Sequence, residues 1–499
     1  MLTTTDPRTR MTRPTTLEAT DAASVHAVVA SADSAFDTTR WSTRAWRAGL
    51  LDAIAAALEN RGEELVRIAD RETGLGVARL TGEVVRSAFQ FRLFAEAVRE
   101  GSYVEATIDH AATTALGPQP EIRRMLVPIG PVAVFGSSNF PFAFSVAGGD
   151  TASALAGGNT VVLKAHGSHP ETSALSFEVI SEATAAYGAP AGMIGIVYGT
   201  DAGRVLVADP RIRAVGFTGS LTAGRALIDI INGRSEPIPF YGELSSLNPL
   251  VITPGAAAAR ADQIAEGLFT SYTLGAGQFC TKPGIAFVPR GEAGDQIVAG
   301  LVARTLEANP QVLLNERIAT SFGEIRDQLV AAGALRIAAA GVVDTAGFNA
   351  GPTVLALDAA DLSPAVAEEA FGPLVLVVRY DGLAEVYTAL DAVPDSLTAT
   401  LHSEPGEAID ALVRELAPRA GRIVFNGYPT GVRVSWGQHH GGTWPSTNSQ
   451  HTSVGVSALR RFLRPIAFQD APDAVLPREL RDENGDGIPR RVDGRLVLG

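Results

Sequence analysis

Cysteine is nearly absent from this chain, in which Cys280 is the only one among 499 residues. A single cysteine excludes an intrachain disulfide and fits a reducing compartment, so we expect a cytoplasmic protein. Cys280 lies in Gly-Ala-Gly-Gln-Phe-Cys-Thr-Lys-Pro-Gly, residues 275–284. A lone cysteine is more often an inert small core residue than a nucleophile. The small residues around this one nevertheless favour a thiol that a substrate can reach.

Long apolar runs and basic blocks are also missing. No run approaches the roughly 18 apolar residues that a membrane span requires, and residues 1–16 lack the apolar segment of a secretory signal. The net charge is −13, from 54 acidic and 41 basic residues, and no lysine- or arginine-rich block interrupts it. A nucleic-acid partner requires a concentrated basic face. The sequence therefore predicts a protein that binds neither membrane nor nucleic acid.

The chain does contain a regular alternation of apolar strands and helices. At 499 residues it is too long for one ordinary core, so two or three domains are expected. From Pro131 onward, helices such as Ala143–Leu155 and Thr172–Ala186 separate short apolar segments. These segments are Val132–Phe135, Thr160–Leu163, Ile194–Tyr198, Ala214–Phe217 and Ile238–Tyr241. Fully apolar strands separated by helices predict a parallel sheet covered on both faces.

Three polar residues have the chemistry that a cysteine attacking a carbonyl carbon requires. The Asn139 amide can donate a hydrogen bond to an oxyanion, although an asparagine in a Gly/Ser loop also forms turns. Glu243 follows an apolar strand and can activate water, or it can be a structural, salt-bridged carboxylate. Glu369 can accept hydrogen bonds from ribose hydroxyls, or it can be a solvated residue near a turn. Taken singly, each of these residues is compatible with a catalytic or binding role and with a purely structural one.

Six short motifs occur in order along the chain. They are Ser-Asn-Phe-Pro (138–141), Val-Val-Leu-Lys (161–164), Phe-Thr-Gly-Ser-x-x-x-Gly (217–224), Gly-Glu-Leu (242–244), Gly-Gln-x-Cys (277–280) and Glu-Glu-x-Phe-Gly-Pro (368–373). With these motifs, the chain resembles the aldehyde dehydrogenase superfamily from about residue 20 to its end. The resemblance implies that Cys280 is the nucleophile, Glu243 the general base and Asn139 the oxyanion donor. It also implies oxidation of an aldehyde to an acid through a thiohemiacetal and a thioester, with hydrolysis rather than acyl transfer to coenzyme A.

The resemblance further implies an α/β fold with a Rossmann-type parallel-sheet cofactor domain, an α/β catalytic domain and a β bridging element. The expected bounds are 17–103 and 129–244 for the cofactor domain, 245–450 for the catalytic domain, and 104–128 with 451–499 for the bridging element and tail. Residues 1–16 are expected to be frayed. The apolar strand 462–468 would leave an unpaired edge in a monomer, so we expect a homodimer or homotetramer.

A nicotinamide cofactor is implied by the same resemblance. The implied cofactor-binding residues are Lys164, Gly167, Ser168, Gly219, Ser220, Gly224, Leu244, Glu369 and Phe371. Many NAD-using relatives carry a glutamate where this chain has Gly167, and a glutamate there would repel a 2′-phosphate. We therefore expect NADP, with NAD possible, and Lys164, His166 or Ser168 as contacts of the phosphate. The Gly-x-Gly-x-x-Gly fingerprint is missing, as is usual for this superfamily.

Three segments narrow the choice of aldehyde substrate: 426–434, 440–445 and 480–494. They resemble a branch that contains 2-oxoglutarate semialdehyde (2,5-dioxopentanoate) dehydrogenases and NADP-linked fatty aldehyde dehydrogenases. A carboxylated semialdehyde requires a cation in the pocket, whereas a fatty aldehyde requires a long apolar tunnel. Arg433 and Arg92 are the candidate cations, each with a structural ion pair as the alternative, and Phe140 is expected to line the pocket.

Other readings are weaker. Residues Asp482 to Asp493 imitate the start of a calcium loop, but the loop contains Pro489 and does not close with glutamate. Three histidines, His439, His440 and His451, lack the spacing of a metal site, so no metal is expected and a loop role is favoured. A catalytically silent relative is a possible alternative, which the joint presence of the catalytic residues disfavours. A thiol peroxidase would lack a resolving cysteine.

Overall fold

The computed structural model describes residues 1–342 and 346–498. Within these residues the chain forms thirteen α-helices: α1 (Ala22–Thr39), α2 (Arg44–Asn60), α3 (Gly62–Thr73), α4 (Val77–Glu100), α5 (Gly149–Gly157), α6 (Pro170–Ala186), α7 (Thr200–Ala208), α8 (Leu221–Asn232), α9 (Pro254–Thr273), α10 (Glu292–Glu307), α11 (Glu316–Ala331), α12 (Leu383–Leu390) and α13 (Asp410–Leu416). None of the helices in this part of the chain is long and apolar enough to cross a membrane.

The same described residues form twenty-three β-strands: β1 (Thr3–Asp6), β2 (Met11–Pro14), β3 (Thr107–Asp109), β4 (Ala112–Thr114), β5 (Gly117–Gln119), β6 (Ile122–Pro128), β7 (Val132–Phe135), β8 (Val161–Lys164), β9 (Ile194–Val197), β10 (Ala214–Thr218), β11 (Phe240–Glu243), β12 (Pro249–Ile252), β13 (Ile285–Pro289), β14 (Gln311–Val312), β15 (Leu335–Ala339), β16 (Asn349–Ala350), β17 (Thr353–Asp358), β18 (Leu374–Tyr380), β19 (Ser396–His402), β20 (Ala420–Phe425), β21 (Leu463–Gln469), β22 (Arg490–Val492) and β23 (Arg495–Val497).

The first large sheet is parallel throughout, in the strand order β11-β10-β7-β8-β9. Every residue of its central strand β7 is buried, because helices cover both faces. The chain passes from β7 to β8 on one side and later returns to β10 on the other. In an open parallel sheet such a reversal of strand order creates a ligand-binding crevice at the carboxyl ends of the strands. The predicted parallel sheet is confirmed.

The second large sheet has seven strands in the order β15-β17-β18-β13-β12-β19-β20. Only β15 runs antiparallel to its neighbour; the other pairs are parallel. Strand β13 begins just after the cysteine-bearing segment 275–284, and β18 begins just after residues 368–373. Both predicted site segments therefore lie at the amino ends of neighbouring central strands.

A third sheet has the order β21-β6-β3-β22-β23. Strand β21 pairs antiparallel with β6, from Leu463 opposite Pro128 to Gln469 opposite Ile122, and it is an edge strand. The division of the chain into three domains and the domain bounds remain predictions.

The first sixteen residues are not frayed, and that expectation is wrong. They form the antiparallel hairpin β1–β2. The Thr4 hydroxyl donates to the buried carboxylate of Glu72 at 2.8 Å, and Arg8 pairs with Asp70 at 2.5 Å. A composition rich in Thr, Arg and Pro does not reveal such partners, because they lie more than 60 positions further along the chain.

The predicted helix Ala143–Leu155 begins six residues late, at Gly149. The preceding turns are held by the buried carboxylate of Glu83, whose Oε1 accepts the backbone N–H groups of Phe142 (2.8 Å) and Ala143 (3.0 Å). A carboxylate supplied by another helix thus replaces the hydrogen bonds that a longer helix would make. Strand β11 likewise starts two residues later than expected and ends on Glu243 itself.

The acidic residues of the calcium-loop-like stretch 482–493 are paired with basic side chains of the protein. Asp482 pairs with Arg123 at 2.7 Å, Asp493 lies 2.9 Å from His110, and Asp486 pairs with Arg44 at 3.2 Å. Asp482 also lies 3.2 Å from His110, so all three carboxylates are paired with basic side chains of the chain itself.

Candidate active site

Four predicted site segments meet at the carboxyl edge of the parallel sheet. Asn139 follows β7, Lys164 ends β8, residues 219–220 follow β10 and Glu243 ends β11. Parallel strands end at one common edge, so residues far apart in sequence line the same crevice. The pairing of Thr218 with Glu243 and of Phe135 with Lys164 shows this alignment directly.

The second sheet supplies the opposite wall. The loop before β13 carries Cys280, and the loop before β18 carries Glu369. The two loops touch: a Cβ added to Gly277, whose φ is +66°, would lie 2.2 Å from the carbonyl oxygen of Gly372. Glycine is required at this position both for the backbone conformation and for the close approach. The nucleophile loop and the Glu369 loop are therefore packed as one unit.

Cys280, His440 and Glu243 form the chemical centre. The Cys280 Sγ lies 3.6 Å from His440 Nε2, which lies 2.9 Å from Glu243 Oε1. The other carboxylate oxygen of Glu243 accepts a hydrogen bond from the Ser453 hydroxyl at 2.8 Å. Glu243 and His440 are buried, and Cys280 is half-buried, so the thiol is the member of the group that a substrate reaches.

The environment separates the acidities of these groups. Burial and then the neighbouring charge of Glu243 raise the pKa of Cys280 well above its usual value. Burial alone would raise the pKa of Glu243, but the charge of His440 and hydrogen bonds from His440, Cys280 and Ser453 outweigh it, so the pKa of Glu243 is lowered. The carboxylate is thus held ionised beside a protonated thiol, and thiolate formation requires a proton acceptor close by.

Asn139 is buried and directed at the nucleophile loop. Its side-chain Nδ2 donates to the backbone carbonyl of Gln278, two residues before Cys280, at 2.9 Å. The backbone carbonyl of Asn139 accepts from Arg79 Nη2 at 2.7 Å. The amide therefore lies beside the loop where an oxyanion on a Cys280 adduct would form. The oxyanion role itself remains a prediction.

The residues predicted to bind the adenosine half of a dinucleotide lie around the end of β8. Lys164 is half-buried, burial lowers its pKa, and within residues 1–342 and 346–498 its ammonium has no hydrogen-bond or ion-pair partner. A Cβ added to Gly167 would meet nothing within 4 Å, and the Ser168 hydroxyl accepts from Asn315 Nδ2 at 2.8 Å. An unpartnered ammonium beside open space fits a ribose or phosphate group.

The remaining predicted cofactor residues lie after β10, in the first turn of α8, directly after β11 and in the Glu369 loop. Ser220 is the N-cap of α8. A Cβ on Gly224 would lie 2.5 Å from Leu244, so glycine lets the first turn of α8 approach β11 closely. Gly219 donates its N–H to the Glu243 carbonyl at 3.0 Å, and Phe371 is half-buried in the Glu369 loop. This crevice with a helix N-terminus at its edge also fits a dinucleotide.

An aromatic funnel lies against the nucleophile loop. The ring of Phe140 packs against those of Phe144 and Phe279, each 5.2 Å away between centroids. The guanidinium of Arg79 lies over Phe279, and that of Arg86 lies 5.3 Å from the centroid of Phe144. A cavity of about 290 Å³ is lined by Phe140 and Phe279 on one side and by Arg79, Glu83 and Arg86 of α4 on the other. The funnel therefore has aromatic walls, with two guanidinium groups and one carboxyl group along α4.

Comparison with known proteins decides the family. The family model described as "Aldehyde dehydrogenase family" matches residues 2–465. The chain belongs to this family. It is 44% identical over 476 residues to "Alpha-ketoglutaric semialdehyde dehydrogenase 2" of Azospirillum brasilense, covering 93% of this chain and 90% of the relative. It is 40% identical to "Alpha-ketoglutaric semialdehyde dehydrogenase" of Acinetobacter baylyi, covering 91% and 88%.

Solved structures agree on the fold of this aldehyde dehydrogenase. Aldehyde dehydrogenase C of Pseudomonas syringae, crystallised as a variant with NAD+ and octanal, superposes with a TM-score of 0.80 at 22% identity, covering 94% of each chain. Family membership confirms the expected α/β fold and the expected NAD(P)-dependent oxidation of an aldehyde. The catalytically silent alternative is thereby set aside.

Arg92 is not brought to the funnel, which corrects its predicted role. It is ion-paired with Glu59 at 2.5 Å on an exposed face of α4, with Asp52 4.0 Å away. Arg86, six residues earlier on the same helix, is the arginine of the funnel. Six residues turn an α-helix through about 600°, which places Arg92 some 240° away around the axis. Arg433 is exposed, and its substrate role stays a prediction.

Two residues of the dehydrogenase site were missed or undervalued from sequence. His440 is placed between thiol and carboxylate by a hydrogen bond from its backbone N–H to the Thr452 hydroxyl at 2.7 Å and by the ring of Phe144. Lys282 is fully buried, and its ammonium donates to the carbonyls of Ala370 (3.0 Å) and Leu374 (2.9 Å) in the Glu369 loop. For Lys282, the only indication in the sequence is its position two residues after the lone cysteine.

Proposed function

We propose that this aldehyde dehydrogenase oxidises 2-oxoglutarate semialdehyde to 2-oxoglutarate, with NADP as the preferred cofactor. The substrate assignment rests on the buried guanidinium nitrogens of Arg86. Within the described part of the chain, its buried Nε and Nη2 have no hydrogen-bond partner, although the guanidinium borders the aromatic funnel. Burying such donors unpaired is costly, so a ligand with acceptor atoms is the expected partner.

The charge of Arg86 supports a carboxylated aldehyde. Burial lowers the pKa of Arg86, and the charges of Glu83, then Cys280 and Glu243, oppose that lowering. The guanidinium therefore lies near the reacting centre as well as near Glu83, its neighbour on α4. A short semialdehyde with its aldehyde carbon at Cys280 could bring its carboxylate to Arg86, where a fork of two hydrogen bonds forms. The two relatives named as alpha-ketoglutaric semialdehyde dehydrogenases support the same assignment.

The reaction begins with the thiol proton. The half-buried Cys280 gives this proton to solvent water. His440 Nε2 carries a hydrogen, because it donates to the ionised Glu243 carboxylate at 2.9 Å, and it lies 3.6 Å from Cys280 Sγ, where the same N–H stabilises the thiolate. The thiolate attacks the aldehyde carbon, and the C=O electron pair moves to oxygen. Asn139 Nδ2 and the backbone N–H of Cys280 are the donors available to this oxyanion.

A nicotinamide held in the crevice would supply the hydride acceptor. When the oxyanion re-forms the C=O bond, hydride leaves the former aldehyde carbon and a Cys280 thioester remains. Glu243 then takes a proton from water, and the resulting hydroxide attacks the thioester carbon. The C–S bond breaks, the acid leaves and the Cys280 thiolate is restored. Ser453, hydrogen-bonded to Glu243, orients the carboxylate for this step.

Substituting Arg86 with alanine is expected to lower kcat/KM for 2-oxoglutarate semialdehyde about 100-fold, because a charge-assisted contact to the carboxylate is lost. For an uncharged aldehyde such as butanal the change should stay below about threefold. Steady-state kinetics with both substrates measure the difference. Arg92→Ala is the matched control, an arginine on a different, exposed face of the same helix, and it should change neither value. Equal losses for both aldehydes would exclude a carboxylate contact at Arg86.

NADP preference is supported by the region around Gly167. No carboxylate stands at that position to repel a 2′-phosphate. The Lys164 ammonium, which has no partner among the residues that the structure describes, provides a positive charge nearby. Lys164 and Ser168 would bind the adenosine ribose and its phosphate, and Glu369 would accept from the nicotinamide ribose hydroxyls. Burial raises the pKa of Glu369, and the Lys282 ammonium opposes this rise.

Introducing a carboxylate by Gly167→Glu is expected to lower the NADP/NAD ratio of kcat/KM about 10- to 100-fold, since a glutamate repels the 2′-phosphate and binds ribose hydroxyls. The substitution fits sterically because the space beside Gly167 is open and its backbone is not left-handed. Kinetics with each cofactor at fixed aldehyde measure the ratio. Gly167→Ala, which adds no charge, is the control. An unchanged ratio would show that residue 167 does not face the ribose.

A homodimer or homotetramer is part of the proposal. Strand β21 is an edge of the third sheet, so its outer backbone groups are available to a strand of a second copy. The cytoplasm is the proposed compartment, because the one thiol of the chain is free and would have to stay reduced to act.

A further inference from the structure

Helix α11 reaches across the crevice from the side of the second sheet. Its N-cap residue, Asn315, donates from Nδ2 to the Ser168 hydroxyl at 2.8 Å. Arg317, in its first turn, donates from Nη2 to the Ser220 hydroxyl at 3.4 Å. One helix end therefore contacts both the loop after β8 and the N-cap of α8, the two places where the proposed cofactor carries its adenosine ribose and its pyrophosphate.

Arg317 is a cation without a counter-charge. It is exposed, and among the described residues no carboxylate pairs with it, its one hydrogen bond being the long contact to Ser220. Burial and the charge of His169 lower the pKa of His166 most strongly, and the charges of Lys164 and Arg317 lower it further. Both cations thus act on one small region of the crevice.

The long hydrogen bond to Ser220 does not by itself explain why Arg317 lies at this position. An exposed contact of this kind contributes little to folding, and a free arginine next to a second cation is electrostatically unfavourable. An anion between Arg317, Ser220 and Lys164 would remove the repulsion. The N-terminus of α8, which Ser220 caps, adds a partial positive charge directed at the same place.

We propose that Arg317 is a phosphate clamp, which closes over a phosphate group of the bound dinucleotide from the opposite wall of the crevice. The inference rests on the proposed NADP site and adds to it a residue from the second sheet. The phosphate is either the 2′-phosphate or the pyrophosphate, and ligands that contain one or the other distinguish them.

The test is direct binding, measured by titration calorimetry without aldehyde. Arg317→Ala should raise the Kd of NADP about 10- to 100-fold, the value of one charge-assisted hydrogen-bonded contact. Arg317→Lys should restore part of the affinity. Raising the salt concentration should weaken NADP binding to the unsubstituted protein more steeply than binding to Arg317→Ala. Arg326→Ala, half a turn away around the same helix, is the control and should bind as the unsubstituted protein does.

Three ligands assign the phosphate. A loss seen with NADP and 2′,5′-ADP but not with NAD assigns Arg317 to the 2′-phosphate, and equal losses with NADP and NAD assign it to the pyrophosphate. Unchanged Kd values for all three ligands in Arg317→Ala would overturn the clamp while leaving the dehydrogenase site intact. An unsubstituted protein that binds neither dinucleotide would instead overturn the proposed cofactor site itself.

Discussion

Cys280→Ser is expected to reduce aldehyde oxidation by about 10⁴-fold or more in kcat, the scale of losing a covalent nucleophile. A serine hydroxyl is far less acidic than a thiol, and neither His440 nor Glu243 can keep it ionised. Absorbance of the reduced cofactor, followed with 2-oxoglutarate semialdehyde as substrate, measures the loss. Binding of NADP to the same variant should be unchanged, which separates a chemical defect from unfolding.

The uniqueness of Cys280 gives this prediction an independent check. One equivalent of a thiol reagent should abolish activity, and the reagent should not react with Cys280→Ser. Because the thiol lies in the crevice between the two sheets, aldehyde or cofactor should change the labelling rate. Complete labelling with full activity would contradict the nucleophile assignment.

Glu243→Gln is expected to lower the steady-state rate about 10³-fold, within the range of losing a general base. Glutamine cannot take the proton from water, so thioester hydrolysis fails while the first hydride transfer remains possible. A stopped-flow experiment should therefore show a burst of reduced cofactor, up to one equivalent per site, followed by a slow phase. Glu292→Gln, which removes an exposed carboxylate on α10, should retain the normal rate.

The same substitution should make Cys280 more reactive toward an alkylating reagent near neutral pH. Burial and then the charge of Glu243 raise the pKa of the thiol. Removing the charge lowers that pKa, so the alkylation rate should rise with pH at lower pH values than in the unsubstituted protein. A profile that stays in place or moves to higher pH would show that Glu243 does not act on the thiol. Slower catalysis together with faster alkylation is the outcome that a misfolded site would not produce.

Much of the site could be predicted from sequence because its residues are attached to regular local structure. Asn139, Lys164 and Glu243 each follow or end a short apolar strand, and parallel strands end at one edge. A pattern of apolar strands separated by helices therefore places these residues together without knowledge of any contact. Cys280 was identified by its rarity and by its motif, neither of which depends on tertiary contacts.

His440 could not be placed in this way. It lies 197 positions from Glu243, in a segment without regular secondary structure, and is held by Thr452 and Phe144. Periodicity reports only which side of its own element a residue lies on. It contains no information on which distant segment packs against that side, so three histidines in the loop were indistinguishable until their contacts were known.

The two arginines of α4 show the same division. The amino-acid sequence by itself determined the parallel-sheet architecture, and it predicted Cys280 as the nucleophile and cationic residues on the helix beside the pocket. Only the tertiary structure decided that Arg86 borders the funnel while Arg92 is ion-paired with Glu59 in solvent. The reason is physical: helical spacing sets the angle between two side chains, but the packing of α4 against the nucleophile loop sets which of them borders the funnel.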